Sequence, residues 1–159
     1  MRLFLAGVIV ICFIYIAIQI KLNYERKVRF YKNALLFCET LMVGIKFSKF
    51  PLKEIISQNL DKFNGEFRQL LTTFSSSLNN GEQFCYESKN FTEAELNSIN
   101  LFFNKLGRSD VSGQEEVIKN FSSEAGLLLE NAKEESKSKG QVNMKLVICL
   151  GIVVAIIFF

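Results

Sequence analysis

LFLAGVIVICFIYIAIQI, residues 3–20, is an apolar run of 18 residues in which Gln19 is the one strongly polar side chain. As a helix rising about 1.5 Å per residue it extends roughly 27 Å, close to the hydrocarbon thickness of a bilayer. The reading is a transmembrane anchor. A cleaved signal peptide competes with it, but that would need a shorter apolar stretch, a start more basic than Arg2 alone and a small-residue cleavage site after the run. The rest of the chain is therefore read as a domain tethered to a membrane surface.

The other end repeats the pattern. Residues 146–159 are 14 apolar residues, about 21 Å as a helix, and the run reaches 18 residues when Val142 is included and Lys145 snorkels to the interface. LVICLGIVVAIIFF offers no polar face to water, which argues against a terminal helix of a soluble core. The expected organisation is a transmembrane helix over 3–20, a cytoplasmic helical bundle over 21–141 and a second transmembrane helix over 142–159. A chain of 159 residues, 49% hydrophobic with mean hydropathy +0.20, suits two short spans around an ordinary domain. Lys21, Arg26, Lys27, Arg29 and Lys32 follow the first span, and Lys133, Lys137, Lys139 and Lys145 approach the second; Arg2 alone lies beyond them. The positive-inside tendency then puts the domain in the cytoplasm and the termini outside, in the cell membrane.

Composition excludes several function classes. Cys12 and Cys149 lie in the apolar runs, and Cys38 and Cys85 are isolated, so neither a disulfide framework nor a zinc site is suggested. There is no histidine, which removes the commonest general base and metal ligand. Phosphate-loop, dinucleotide and nucleophile-elbow motifs are missing, and the adjacent pairs Glu115-Glu116 and Glu134-Glu135 point to different helix faces. The expectation is a protein that is not an enzyme and carries no cofactor. Setting Arg2 aside leaves 18 basic against 16 acidic residues, without the clustered basic face that nucleic acid requires.

Between the apolar ends, one proline and helical periodicity predict helices throughout. Val28, Tyr31, Leu35, Cys38, Met42 and Ile45 form a 3-4-3-4-3 seam on a helix continuing from the first span and ending near Phe47. Pro51 suits the first turn of the next helix, which carries Leu52, Ile55, Ile56, Leu60 and Phe63. After the Asn64-Gly65 turn, Phe67, Leu70, Leu71, Phe74 and Leu78 mark a third helix, stopped at Asn79-Asn80-Gly81. A short helical piece is expected over 82–88. Thr92-x-x-Glu95 is a capping box opening the helix of Leu96, Ile99, Phe102, Phe103 and Leu106, which Gly107 ends. Ser112-x-x-Glu115 is a second such box, opening a last helix with Ile118, Phe121, Ala125, Leu128 and Ala132 inward. The first and last helices are each roughly 40 Å long and must run antiparallel, one leaving the membrane and one returning. The predicted fold class is all-α, an antiparallel bundle anchored at both ends. Most of the 16 phenylalanines fall on helical seams, so packing is preferred over a ligand pocket.

Two short stretches remain. One is Leu106, Gly107, Ser109, Asp110 and Gln114 in an LG-x-S-D-x-x-x-Q turn; the other is Ile45, Phe47, Pro51, Leu52, Glu54 and Ile56 in an I-x-F-x-x-x-PL-x-E-x-I run. On these, and on one apolar run at each end, the chain resembles the stage III sporulation protein AB family of endospore-forming bacteria over essentially its full length. That family is similar in its cytoplasmic domain to the inner-membrane platform protein of type II secretion and type IV pilus machines, although a single bundle stands here where those platforms carry two. The resemblance implies a component of the mother-cell side of the channel linking mother cell and forespore. It also implies partners: a hexameric secretion-type ATPase, other channel subunits and the membrane, with a second copy of the chain also considered. Gly107, Ser109, Asp110, Gln114, Pro51 and Leu52 are the candidates for a partner surface, or else for a structural turn. The runner-up is a membrane-tethered, self-associating sensor or regulator. A transporter subunit is disfavoured, because apart from Lys145 at the edge neither span holds an ionisable residue.

Overall fold

The computed structural model describes residues 2–48, 51–108 and 110–157, and every regular element among them is helical. Helix α1 runs without interruption over Arg2–Val43 and ends in a π-helical turn, Gly44–Ser48. Then come α2 (Leu52–Asn59, prolonged by a 3-10 turn over Leu60–Lys62), α3 (Gly65–Asn80), α4 (Glu93–Lys105) and α5 (Val111–Glu135). A π-helical turn, Ser136–Gly140, joins α5 to α6 (Gln141–Ile157). The chain divides into two compact units, one built from its two ends up to Val28 and from Glu130 onward, the other Arg29–Leu129.

In the terminal unit, α1 and α6 pack antiparallel through glycine. A Cβ on Gly151 would lie 2.6 Å from Phe13 Cβ, and one on Gly140 would lie 3.2 Å from Tyr24 Cδ2, so α6 and the turn that precedes it approach α1 at backbone distance. These glycines are eleven residues apart, close to three whole turns, and so share one face. Ala17 is buried between them, while the outward positions are large and apolar: Val8, Ile11, Ile14 and Ile18 on α1, Val142, Leu146, Leu150 and Val153 on α6. The described residues hold one helix long and apolar enough to cross a membrane, Gly7–Lys46, and only 6% of its apolar window is buried, unlike the core helix of a soluble protein. Helix α6 has 17 described residues; Phe158 and Phe159, which the expected 142–159 span includes, lie outside them.

The second unit is organised around an aromatic core. Phe30 contacts Phe67 and Phe91 at ring distances of 5.2 and 4.6 Å, Phe37 contacts Phe63 at 5.7 Å, and Phe103 contacts Phe74 and Phe84 at 4.8 and 5.3 Å. Phe102 stacks on Phe121 at 3.9 Å, joining α4 to α5. The predicted α1 seam holds at Tyr31, Cys38 and Ile45, but Val28, Leu35 and Met42 are only half-buried, and the deepest positions include Phe30, Ala34, Phe37 and Leu41. The seam is rotated because the rings of α3 and α4 gather on the Phe30–Phe37 side. On α5, likewise, Leu129 is buried and Leu128 half-buried.

One carboxylate enters this core. Glu95 is 8% exposed; its Oε1 accepts from the Tyr31 hydroxyl at 2.9 Å, and its Oε2 accepts from the Thr92 N–H at 2.8 Å. The Thr92 hydroxyl oxygen in turn accepts from the Glu95 N–H, completing the capping box that the sequence predicts for α4. Burial, and then the adjacent Glu95 charge, push the Tyr31 phenol above its ordinary range. Gly81 takes the left-handed position (φ 69°) that closes α3. The expected helical piece over 82–88 does not form. That segment is held in extended form by side chains of α4, which supply the backbone partners a helix would have supplied.

Gly44 marks a close approach and Gly126 does not. A Cβ at Gly44 would lie 2.6 Å from Ile55 Cδ1, whereas nothing lies within 4 Å of one at Gly126. Gly44→Ala is expected to cost about 1–3 kcal/mol by overpacking, and Gly126→Ala to be neutral or stabilising by up to about 1 kcal/mol. Thermal melts of the full chain in detergent micelles measure both. In the same assay Glu95→Ala, which removes a cap and orphans a buried hydroxyl, should cost about 2–4 kcal/mol and Tyr31→Phe distinctly less.

Candidate functional site

Pro51 opens α2 with φ −56°, and its carbonyl accepts from the N–H groups of Glu54 and Ile55 at 2.9 and 3.2 Å. A residue without an N–H loses nothing there. Leu52 follows, half-buried, and its Cδ2 would lie 3.3 Å from a Cβ on Gly107. Gly107 has φ 77°, a left-handed conformation forced where α4 stops and the chain turns under Leu52. Leu106 before it is extended and buried. The two stretches singled out in the sequence thus meet in one groove of about 420 Å³, lined by Ile45, Lys46, Pro51, Leu52, Gly107, Val111 and Gln114. Of the six candidate residues, Pro51, Leu52, Gly107 and Gln114 line it; Asp110 stands beside it, and Ser109 lies outside the described residues.

Asp110, not Ser112, caps α5. Its Oδ1 accepts from the Gly113 N–H at 3.0 Å, its Oδ2 from the Ser112 hydroxyl at 2.8 Å, and its carbonyl from the Gln114 N–H at 2.9 Å. The helix begins at Val111, so the predicted Ser112-x-x-Glu115 box is displaced by two residues. Glu115 is released from capping and pairs with Lys46 at 3.2 Å, bridging α5 to the turn after α1. The Ser112 hydroxyl, and then the Gly113 N–H, hold the Asp110 carboxyl below the usual carboxylate range.

The groove has an apolar floor of Ile45, Leu52 and Val111 and a polar margin of Gln114 and the Lys46–Glu115 pair. Its side chains form no nucleophile–base pair, and no cluster among the described residues could hold a metal ion. Cys38 is buried, and burial, followed by the Glu39 charge, pushes its thiol up to about 12, so it stays protonated. The surface is thus apolar contact area with a polar rim. Sequence reasoning missed Lys46 and Val111; Lys46 lies inside the Ile45–Phe47 pattern, and Val111 follows the cap directly, which is the only sequence signal for either.

Over residues 2–159 the chain matches the family model of Stage III sporulation protein AB. No curated protein and no solved structure matches it.

Asp110→Ala should lower the melting temperature by removing the cap of α5. The sign of its pH dependence follows from the depressed carboxyl: the contribution is full above the ordinary carboxylate pKa and is lost as pH falls through the lower folded value. The gap between wild type and Asp110→Ala at neutral pH should therefore narrow below about pH 4, as melts at a series of pH values would record.

Proposed function

The chain belongs to the stage III sporulation protein AB family, and on that premise we propose that it is a non-enzymatic, membrane-anchored assembly component of the channel between mother cell and forespore. Its helical bundle docks a cytoplasmic hexameric secretion-type ATPase. The observation that carries this reading is the convergence of the two family-like stretches, some sixty residues apart in sequence, on one groove. Pro51 and Val111 are exposed there and contribute little to the core, so packing alone does not account for them.

The anchoring has the same physical logic. The outward side chains of α1 and α6 are apolar along the terminal unit, and water would disfavour so large an exposed face. Hydrocarbon would not. We take residues 142–159 as a second span on this ground, antiparallel to the first, with the lysines near both spans keeping the bundle in the cytoplasm.

A pull-down of the full chain in lipid nanodiscs with the ATPase, with and without nucleotide, tests the reading. Saturable, nucleotide-dependent binding is expected, weakened about tenfold or more by Leu52→Lys or Val111→Glu in the groove and unchanged by Leu127→Lys on exposed α5 surface. Absence of binding by folded wild-type protein would overturn ATPase docking. Equal binding by all variants would remove the groove from it.

A further inference from the structure

Between α3 and α4 the segment over residues 82–88 is an extended strap, and the way it is held leaves one backbone edge unused. Asn104 accepts from the Phe84 N–H at 3.1 Å and donates to the Phe84 carbonyl at 2.7 Å. Asn100 does the same for Tyr86, at 2.7 and 3.1 Å. A planar amide can bond both groups of one residue only if that residue is extended, with N–H and C=O on the same side. The spacing agrees: four residues of helix rise about 6 Å, and two residues of strand about 6.6 Å. The two asparagines therefore stand in for a neighbouring strand.

The strap is also fixed from the α3 side. Glu66 accepts from the Tyr86 hydroxyl at 2.6 Å, the Ser88 hydroxyl at 2.5 Å and the Asn90 amide at 3.0 Å. Phe84 is buried against Phe74 and Phe103. Strand geometry then directs the N–H and C=O groups of residues 83, 85 and 87 away from α4. Gln83, Cys85 and Glu87 are exposed, and no hydrogen bond to their backbone groups is found among the described residues. An ordered, open strand edge is a template for strand addition, with its conformational entropy already removed.

We propose that this edge pairs with the same edge of a second copy of the chain, antiparallel and centred on Cys85. Hydrogen-bonded facing in an antiparallel pair joins outward residues to outward residues. Centring on Cys85 sets Gln83 against Glu87 of the second copy on both sides, an amide donor against a carboxylate. Centring on Glu87 would set like charges face to face. The edge is thus complementary to itself in one register, which argues for its own copy over an unrelated strand. Three facing pairs make a short interface, so the dimer forms where chains are concentrated on a membrane. That last step rests on the anchored reading; the edge itself does not depend on ATPase docking.

The test uses the full chain carrying Cys12→Ala and Cys149→Ala in proteoliposomes, treated with a short bismaleimide; Cys38 is buried and silent. A Cys85-linked dimer is expected, more abundant for Gln83→Lys and about tenfold less abundant for Gln83→Glu and for Glu87→Pro. Glu87→Pro removes an outward N–H only, and the extended Tyr86 before it accepts a following proline. Amide exchange on wild type supplies a readout free of substitutions: Phe84 and Tyr86 are protected at all protein-to-lipid ratios, Cys85 and Glu87 only at high ratios. Cross-linking no greater than that of Leu127→Cys in a Cys85→Ala background would overturn the proposal. So would equal cross-linking by Gln83→Lys and Gln83→Glu, or exchange at Cys85 and Glu87 independent of protein density.

Discussion

The hydrogen bond from the Tyr31 hydroxyl to Glu95 ties α4 to α1 inside the core of the second unit. A carboxylate inside an aromatic core is tolerated only if its acceptor capacity is used, and here one oxygen faces α1 while the other caps α4. Phenyl rings pack in many registers; a directional bond to a buried oxygen selects one. With α4 fixed along α1, Phe102 and Phe103 reach their ring partners, and Asn100 and Asn104 take the positions from which they hold the strap.

A second constraint is that α1 serves both units without a break. Its first part presents apolar side chains outward, and inward it sets Phe13 against Gly151 and Tyr24 against Gly140, with Ala17 buried between. Its later part presents aromatic rings inward. Close approach through glycine supplies the packing there. In the bundle, burial of large rings from water drives association. Gly44 is the exception, a backbone contact in the bundle where Ile55 seats α2 on the end of α1.

The groove follows from the way α5 is capped. Capping α5 occupies Asp110 and Ser112, which leaves Glu115 to pair with Lys46 and Val111 to stand exposed. At Asp110 the turn serves as the cap of α5, while Leu52 and Val111 line the groove beside it. The strap edge is a separate surface made by a different device, side-chain amides replacing a strand.

The sequence by itself determined the all-α class, the helix boundaries at Pro51, Gly81, Thr92 and Gly107, and a first helix long and apolar enough to cross a membrane. These follow from local chemistry: a proline with no N–H, glycines in left-handed turns, a capping box and an unbroken apolar run. Tertiary structure decided what depends on neighbours. The buried line of α1 turned toward Phe30 and Phe37 because rings from α3 and α4 gather there, and the 82–88 segment became extended because Asn100 and Asn104 offered it bonds from 14 and 20 residues away. The start of α5 moved to Val111 because Asp110 reached Gly113 first and Lys46 claimed Glu115. Spacing along one helix records which residues share a face. It does not record which element will arrive to cover that face, and that assignment made the groove and the strap.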